Sequence, residues 1–149
     1  MTEVLFYHLS DSRLEDVLPG LLEKTVERGW RAVVQCGTEA TRDGLDELLW
    51  TWSETSFIGH ATDETGQLSD QPVLLTTTPD NQNGSTVRFI VDRAVPPDVS
   101  AYHRAVLIFD GHDEGQTEDA RASWKQMKAA GHDVTYWQQN ETRKWERKG

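Results

Sequence analysis

Short apolar runs alternate along this chain with stretches of helical spacing. Val4–His8 reads as a first buried strand. Leu14–Arg28 reads as a helix, with Pro19 near its start and Gly29 as its stop. Arg31–Cys36 is a second strand. Thr38 caps a helix running to about Trp50, with Leu45, Leu48, Leu49 and Trp52 predicted to face inward. The polar segment His60–Gln71 contains Gly66 and reads as a loop. Pro72–Thr76 and Val87–Asp92 follow as strands. The Asn83-Gly84 pair between them fits either a hairpin or a loop leading to a parallel neighbour. Pro96-Pro97 breaks regular structure over Ala94–Asp98, Ala105–Phe109 is another strand, and Asp133–Trp137 is the last. This alternation predicts an α/β fold: a three-layer α/β/α sandwich around a mostly parallel sheet, with ligands expected at the C-terminal ends of the strands.

One predicted helix, between the last two strands and ended by Gly131, carries a pattern of its own. At about 100° per residue, with Arg121 as zero, Lys125 lies near +40°, Lys128 near −20° and Trp124 near −60°. Ala120, Ser123, Met127 and Ala130 fall on a second, small and apolar face suited to packing on a sheet. Trp124 sits on the border, so one edge of its ring is available to a ligand. The plainer alternative is a solvated cationic face whose tryptophan only packs.

Charge sharpens the pattern. Residues 1–116 carry 8 Lys and Arg against 20 Asp and Glu, whereas residues 117–149 carry 7 against 5. The net charge of −10 argues against broad binding to duplex DNA or an anionic membrane, but not against a local basic site. At 149 residues a single domain is expected over 1–149, with residues 138–149 (QQNETRKWERKG from Gln138) a frayed, flexible or partner-ordered tail. No stretch approaches the roughly 20 apolar residues of a membrane span, and the N-terminus lacks the basic region of a signal peptide. A single cysteine, Cys36, excludes an internal disulfide framework and fits a buried apolar position. A cytoplasmic protein is expected.

Catalytic motifs are sparse. The first strand–helix turn, His8-Leu9-Ser10-Asp11-Ser12-Arg13, lacks the glycines that let a backbone approach a pyrophosphate, and neither a Walker-type loop nor a GxSxG elbow is present. No cofactor is expected. The strongest enzymatic candidate is the turn Asp110-Gly111-His112-Asp113-Glu114. With His8, Asp11 or His60 it offers ligands for a divalent metal, as in a small metal-dependent hydrolase. The bland alternative is that Asp113 and Glu114 start a helix, where carboxylates meet the positive end of the dipole. A second constellation, Leu45–Trp50 followed by Trp52 and Ser56–His60, ends a helix in large aromatics that suit either a partner interface or cover for the sheet edge.

The order and spacing of FYHL (Phe6–Leu9), ERGWRAVVQC (Glu27–Cys36), LDELLWTWSETSFIGH (Leu45–His60), QPVLLTT (Gln71–Thr77), VDRAVPPD (Val91–Asp98) and WKQMKAAGHDVTYWQQ (Trp124–Gln139) resemble the chi subunit of bacterial DNA polymerase III holoenzyme over nearly the whole chain. The resemblance implies a nucleotide-binding-like α/β fold without a nucleotide site. It also implies a non-catalytic accessory subunit of the clamp-loader complex. Members of that family bind the acidic, phenylalanine-ended C-terminal tail of single-stranded-DNA-binding protein (SSB) and pair with the psi subunit on a separate surface. Arg121 and Trp124 match the family's tail-binding arginine and aromatic, and Lys125 and Lys128 fall where further basic residues occur. Trp50 and Phe57 match the aromatic positions of the psi interface. Two positions depart: Thr117 stands where a lysine is known, and Asp110 aligns near an apolar pocket residue. These departures imply a site that is either weaker or shifted toward Lys125 and Lys128. In this reading DNA is contacted only through SSB. A direct single-strand binder using Trp137, Trp145, Arg143, Lys144, Arg147 and Lys148 is the remaining alternative.

Overall fold

The computed structural model describes residues 2–10, 12–51, 60–62, 72–81, 84–139, 142 and 144–148. Among them the chain runs β1 (Glu3–Leu9), α1 (Leu14–Glu27), β2 (Ala32–Gln35), α2 (Glu39–Thr51), β3 (His60–Thr62), β4 (Val73–Thr76), β5 (Val87–Ile90), β6 (Arg104–Asp110), α3 (Glu114–Ala129), β7 (Asp133–Gln139) and β8 (Trp145–Arg147). The eight strands form one sheet in the order β3-β4-β2-β5-β6-β1-β7-β8. Every pairing is parallel except β7 with β8. The predicted α/β sandwich is therefore observed. β2, β4 and β5 are buried at every position, as expected for short parallel strands covered on both faces.

Two hydrophobic layers flank the sheet. On one side Leu18 and Leu22 of α1 and Leu45 and Leu49 of α2 pack with Val34, Leu75, Phe89, Val106 and Ile108. On the other, Ala120 and Met127 of α3 pack with Val4, Phe6, Leu107 and Phe109. Ala120 and Met127 of the apolar face read from the helical period thus meet the sheet, with Ser123 buried beside them, whereas Ala130, read on the same face, is the C-cap that follows the last turn of α3 and is exposed. Both α1 and α3 end on a left-handed glycine, Gly29 at φ +82° and Gly131 at φ +87°. In each case the two residues after the cap return their N–H groups to carbonyls of the last turn: Gly29 to Val26 and Trp30 to Thr25, Gly131 to Lys128 and His132 to Met127.

β4 and β5 are not paired as a hairpin. β4 and β5 lie on opposite sides of β2, both parallel to it, so the connection returns across the sheet. Arg88 pins this crossover. Its buried guanidinium donates to the carbonyls of Thr78 and Asp80, to Gln35 Oε1 and to the Tyr102 hydroxyl, all at 2.7–3.1 Å. An arginine is accepted at an all-buried position because every direction of its fork meets an acceptor.

Two elements depart from expectation. His60–Thr62, read as part of a loop, is the edge strand β3. Three residues of mixed polarity carry no alternation signal; their order comes from backbone pairing with β4 and from cover by α2. His60 Nε2 lies 3.1 Å from Asp46 Oδ1. Within 138–149, expected to be frayed, β7 continues to Gln139 and residues 145–147 return as β8, with Trp145 packed against Tyr7 at 4.6 Å between ring centroids. An aromatic contact across the sheet, invisible in a polar local sequence, holds that strand. Trp52, predicted to face inward, lies outside the described residues, while Leu45 and Leu49 do face inward.

Candidate functional site: an aromatic groove edged by cations

The strands β1, β6 and β7 lie side by side, so the period of two places Phe6 and His8, Phe109 and Tyr136 on the face that α3 covers. Phe6 stands opposite Tyr136 in the register, and His8 opposite Phe109. Between these side chains and Thr117, Ala120, Arg121, Trp124 and Lys125 of α3 a groove of about 350 Å³ opens. Its walls are aromatic. Trp124 meets Phe6 edge-on at 5.4 Å and Tyr136 at 6.0 Å, and Phe109 lies 6.2 Å from Tyr136. Small Ala120 leaves room where a longer side chain would fill the space.

The rim is cationic. Arg121 and Lys125 are exposed, one turn apart, and neither makes an ion pair among the described residues. Asp119, also on α3, is engaged elsewhere: Arg93 holds it at 2.7 Å and keeps its carboxyl below the usual range. Lys128 does not line the groove. Its ammonium stands over the Trp124 ring at 4.8 Å, a cation–π contact that steadies the wall. Thr117 lines the groove but turns its hydroxyl back to the Asp113 carbonyl at 2.9 Å.

The floor holds two groups that residue-by-residue reading did not assign to the site. His8 Nδ1 and the Tyr136 hydroxyl form a short hydrogen bond, and the imidazole also packs on Phe109 at 5.1 Å. Burial lowers the His8 pKa, the nearby His112 adds to this, and Asp110 opposes it. Burial raises the Tyr136 pKa, with Arg121 opposing. Gly111 makes this packing possible, since a Cβ there would lie 1.8 Å from His8 Nε2. No sequence signal joined these side chains, which come from three distant strands.

The Asp110 turn has a structural account. Asp110 Oδ1 accepts from the His112 N–H and Gln116 Oε1 from the Asp110 N–H, each at 2.9 Å. Asp113 is the N-cap of α3, accepting from the Gln116 N–H at 3.1 Å. Among the described residues no group of three His, Cys, Asp or Glu is gathered as a metal site; Asp11 lies outside them. Cys36 is buried.

On the opposite side of the sheet, at the end of α2, Trp50 is 57% exposed with its ring 4.6 Å from that of His60. Phe57, its expected companion, lies outside the described residues. The tryptophans of the closing stretch turn toward the protein: Trp137 Nε1 donates to Thr135 Oγ1 at 2.9 Å and Trp145 packs on Tyr7. Among the described residues no helix is long and apolar enough to cross a membrane.

Comparison with known proteins adds the family. The probable DNA polymerase III subunit chi of Rickettsia prowazekii is 26% identical over 100 residues, a match covering 67% of this chain and 59% of that protein. The match thus spans less than two thirds of that relative. The model of the family described as DNA polymerase III chi subunit, HolC, matches residues 1–135. This chain belongs to the DNA polymerase III chi subunit family.

Proposed function

We propose that this chain is a non-catalytic accessory subunit of the bacterial DNA polymerase III clamp-loader complex, and that it links the complex to SSB by binding the acidic, phenylalanine-ended tail of SSB. The observation that carries this reading is the groove under α3, an aromatic recess with two uncompensated cations on its rim. A terminal phenylalanine brings an apolar ring and, one bond away, a carboxylate. The ring fits between Phe6, Phe109, Trp124 and Tyr136, and the Arg121 fork offers the carboxylate two parallel N–H donors. Lys125 stands where an acidic residue preceding the ring would pass. The Trp50 surface, on the other side of the sheet, serves a psi-type partner together with Phe57.

The bulk acidity fits this role. A chain of net charge −10 is repelled by phosphates, while a short acidic tail needs only a local cationic pocket. The test is fluorescence anisotropy with a labelled single strand, naked and coated with SSB. The coated strand is expected to bind and the naked strand not to bind measurably at about 0.15 M salt. Tight binding to the naked strand would replace the adaptor reading with direct recognition.

A further inference from the structure

β1 feeds two recesses. Phe6 and His8 face the groove under α3, whereas Leu5 and Tyr7 face a second cleft of about 220 Å³ on the α1 side. Leu5, Val87, Phe89 and Val106 make its apolar floor, and Tyr7 and Trp145 wall one side. Lys24 from the last turn of α1, its C-cap Arg28 and Arg104 from the start of β6 ring it; no carboxylate is among the described lining residues, and the nearby Glu3 is turned to Arg104. Both arginines lie against the Trp30 ring, each guanidinium carbon 5.4 Å from its centroid, which keeps the two cations on one side of the cleft. Glu3 Oε1 approaches Arg104 Nε to 2.9 Å, yet that buried Nε makes no directed hydrogen bond. Burial raises the Tyr7 pKa, so its phenol remains a donor. Trp145 belongs to β8, beyond residues 1–135 that the family model matches. The cleft is therefore completed by a part of the chain outside the matched region.

We propose that this cleft is a binding site for a small apolar carboxylate, its hydrocarbon or aryl body on the floor beside Tyr7 and Trp145 and its carboxylate held by Arg28 and Arg104. The size argues for a free acid of a few carbons or one ring, since pockets for drug-sized ligands run roughly 300–1,000 Å³. The charge of the lining selects an anion, and the floor selects an apolar body. This site is independent of the tail-binding reading and stands or falls separately.

The test is an NMR titration of the full chain with 3-phenylpropionate, its neutral analogue 3-phenylpropanamide, and the peptide N-acetyl-Gly-Gly-Phe. Amide shifts at Leu21, Thr25 and Val106 report the α1 cleft, and shifts at Ala120 and Trp124 report the α3 groove. The acid is expected to move the first set and the amide to leave it unmoved. Arg28→Gln, at an exposed position and with folding checked by circular dichroism, should weaken binding at the first set by about tenfold or more, the loss expected for one hydrogen bond to a charged group. Trp145→Ala should weaken it as well. Shifts confined to the α3 groove, equal response to acid and amide, or indifference to Arg28→Gln would overturn the proposal. Saturation of the first set by the peptide but not by the free acid would overturn the assignment to a small molecule.

Discussion

The two faces of the sheet carry the same ingredients in different states. Under α3, four aromatic rings and two cations surround an open groove, and the cations make no ion pair among the described residues. Under α1, Tyr7, Trp145 and three cations surround a smaller cleft, but Arg104 is approached by Glu3, and Arg28 and Arg104 lean on Trp30. The difference lies in how far each cation is already satisfied. A guanidinium already in an ion pair gives up part of that interaction when an external carboxylate arrives; an exposed one gives up only water. The groove under α3 is accordingly the stronger candidate for a partner's acidic chain end, and all its lining except Tyr136 falls within the residues matched by the family model.

The largest effect that would break this comparison is loss of the shared wall. Trp124→Ala removes the ring that contacts both Phe6 and Tyr136 and supports Lys128. It should weaken binding of an acidic phenylalanine-ended peptide by about 2 kcal/mol or more, in the range of an interface anchor. Calorimetry on variant protein shown to be folded by circular dichroism checks this. The same substitution should leave the α1 cleft unaffected, because the sheet separates the two.

Much of this was legible in the residues, and the rest was hidden for identifiable reasons. The α3 pattern carried through except at Ala130, the exposed C-cap: Ala120, Ser123 and Met127 are buried, Trp124 is half-buried, and Gly131 ends the helix. Arg121, Trp124 and Lys125 line one recess, whereas Lys128, on the same side of the helical wheel, lies over the ring instead. The sheet half of the groove had no local signature. Phe6, His8, Phe109 and Tyr136 meet only because β1 lies between β6 and β7, an order that strand spacing does not encode. β3 and β8 were missed because each is three residues long and of mixed polarity, too short for a hydrophobic pattern, and pairing with a neighbour defines them. The buried Arg88 also runs against composition, since its partners Thr78, Asp80, Gln35 and Tyr102 converge only in the fold.

A smaller effect concerns the floor. Because His8 is held toward its neutral form in the folded state, the unfolded chain takes up that proton first as pH falls below 6.5, the ordinary histidine value. The His8 contribution to stability is full above that value and declines as pH falls toward the lowered folded pKa. Urea unfolding midpoints measured from about pH 7.5 to about pH 5.5, roughly one unit either side of an ordinary histidine, should therefore decline less steeply in His8→Gln than in wild type. Equal slopes would remove His8 from this role.

The smallest expected effect tests the separation of surfaces. Trp50→Ala, across the sheet from the groove, should change tail-peptide binding by no more than about 0.5 kcal/mol, as for distant sites without shared partners. It should weaken capture of a psi-type partner in a pull-down. Loss of both would mean that one surface had been divided into two.

The central claim, that Arg121 holds the terminal carboxylate of an SSB tail, is tested most directly by a double-mutant cycle in calorimetry. Wild type and Arg121→Ala are each titrated with an acidic peptide ending in phenylalanine and with its C-terminally amidated form. Arg121→Ala is predicted to cost about 1.5–3 kcal/mol against the free acid, the range for hydrogen bonds to charged groups. Amidation should cost wild type much more than it costs the variant, because the contact it removes is already gone. Equal amidation penalties in the two backgrounds would contradict the account.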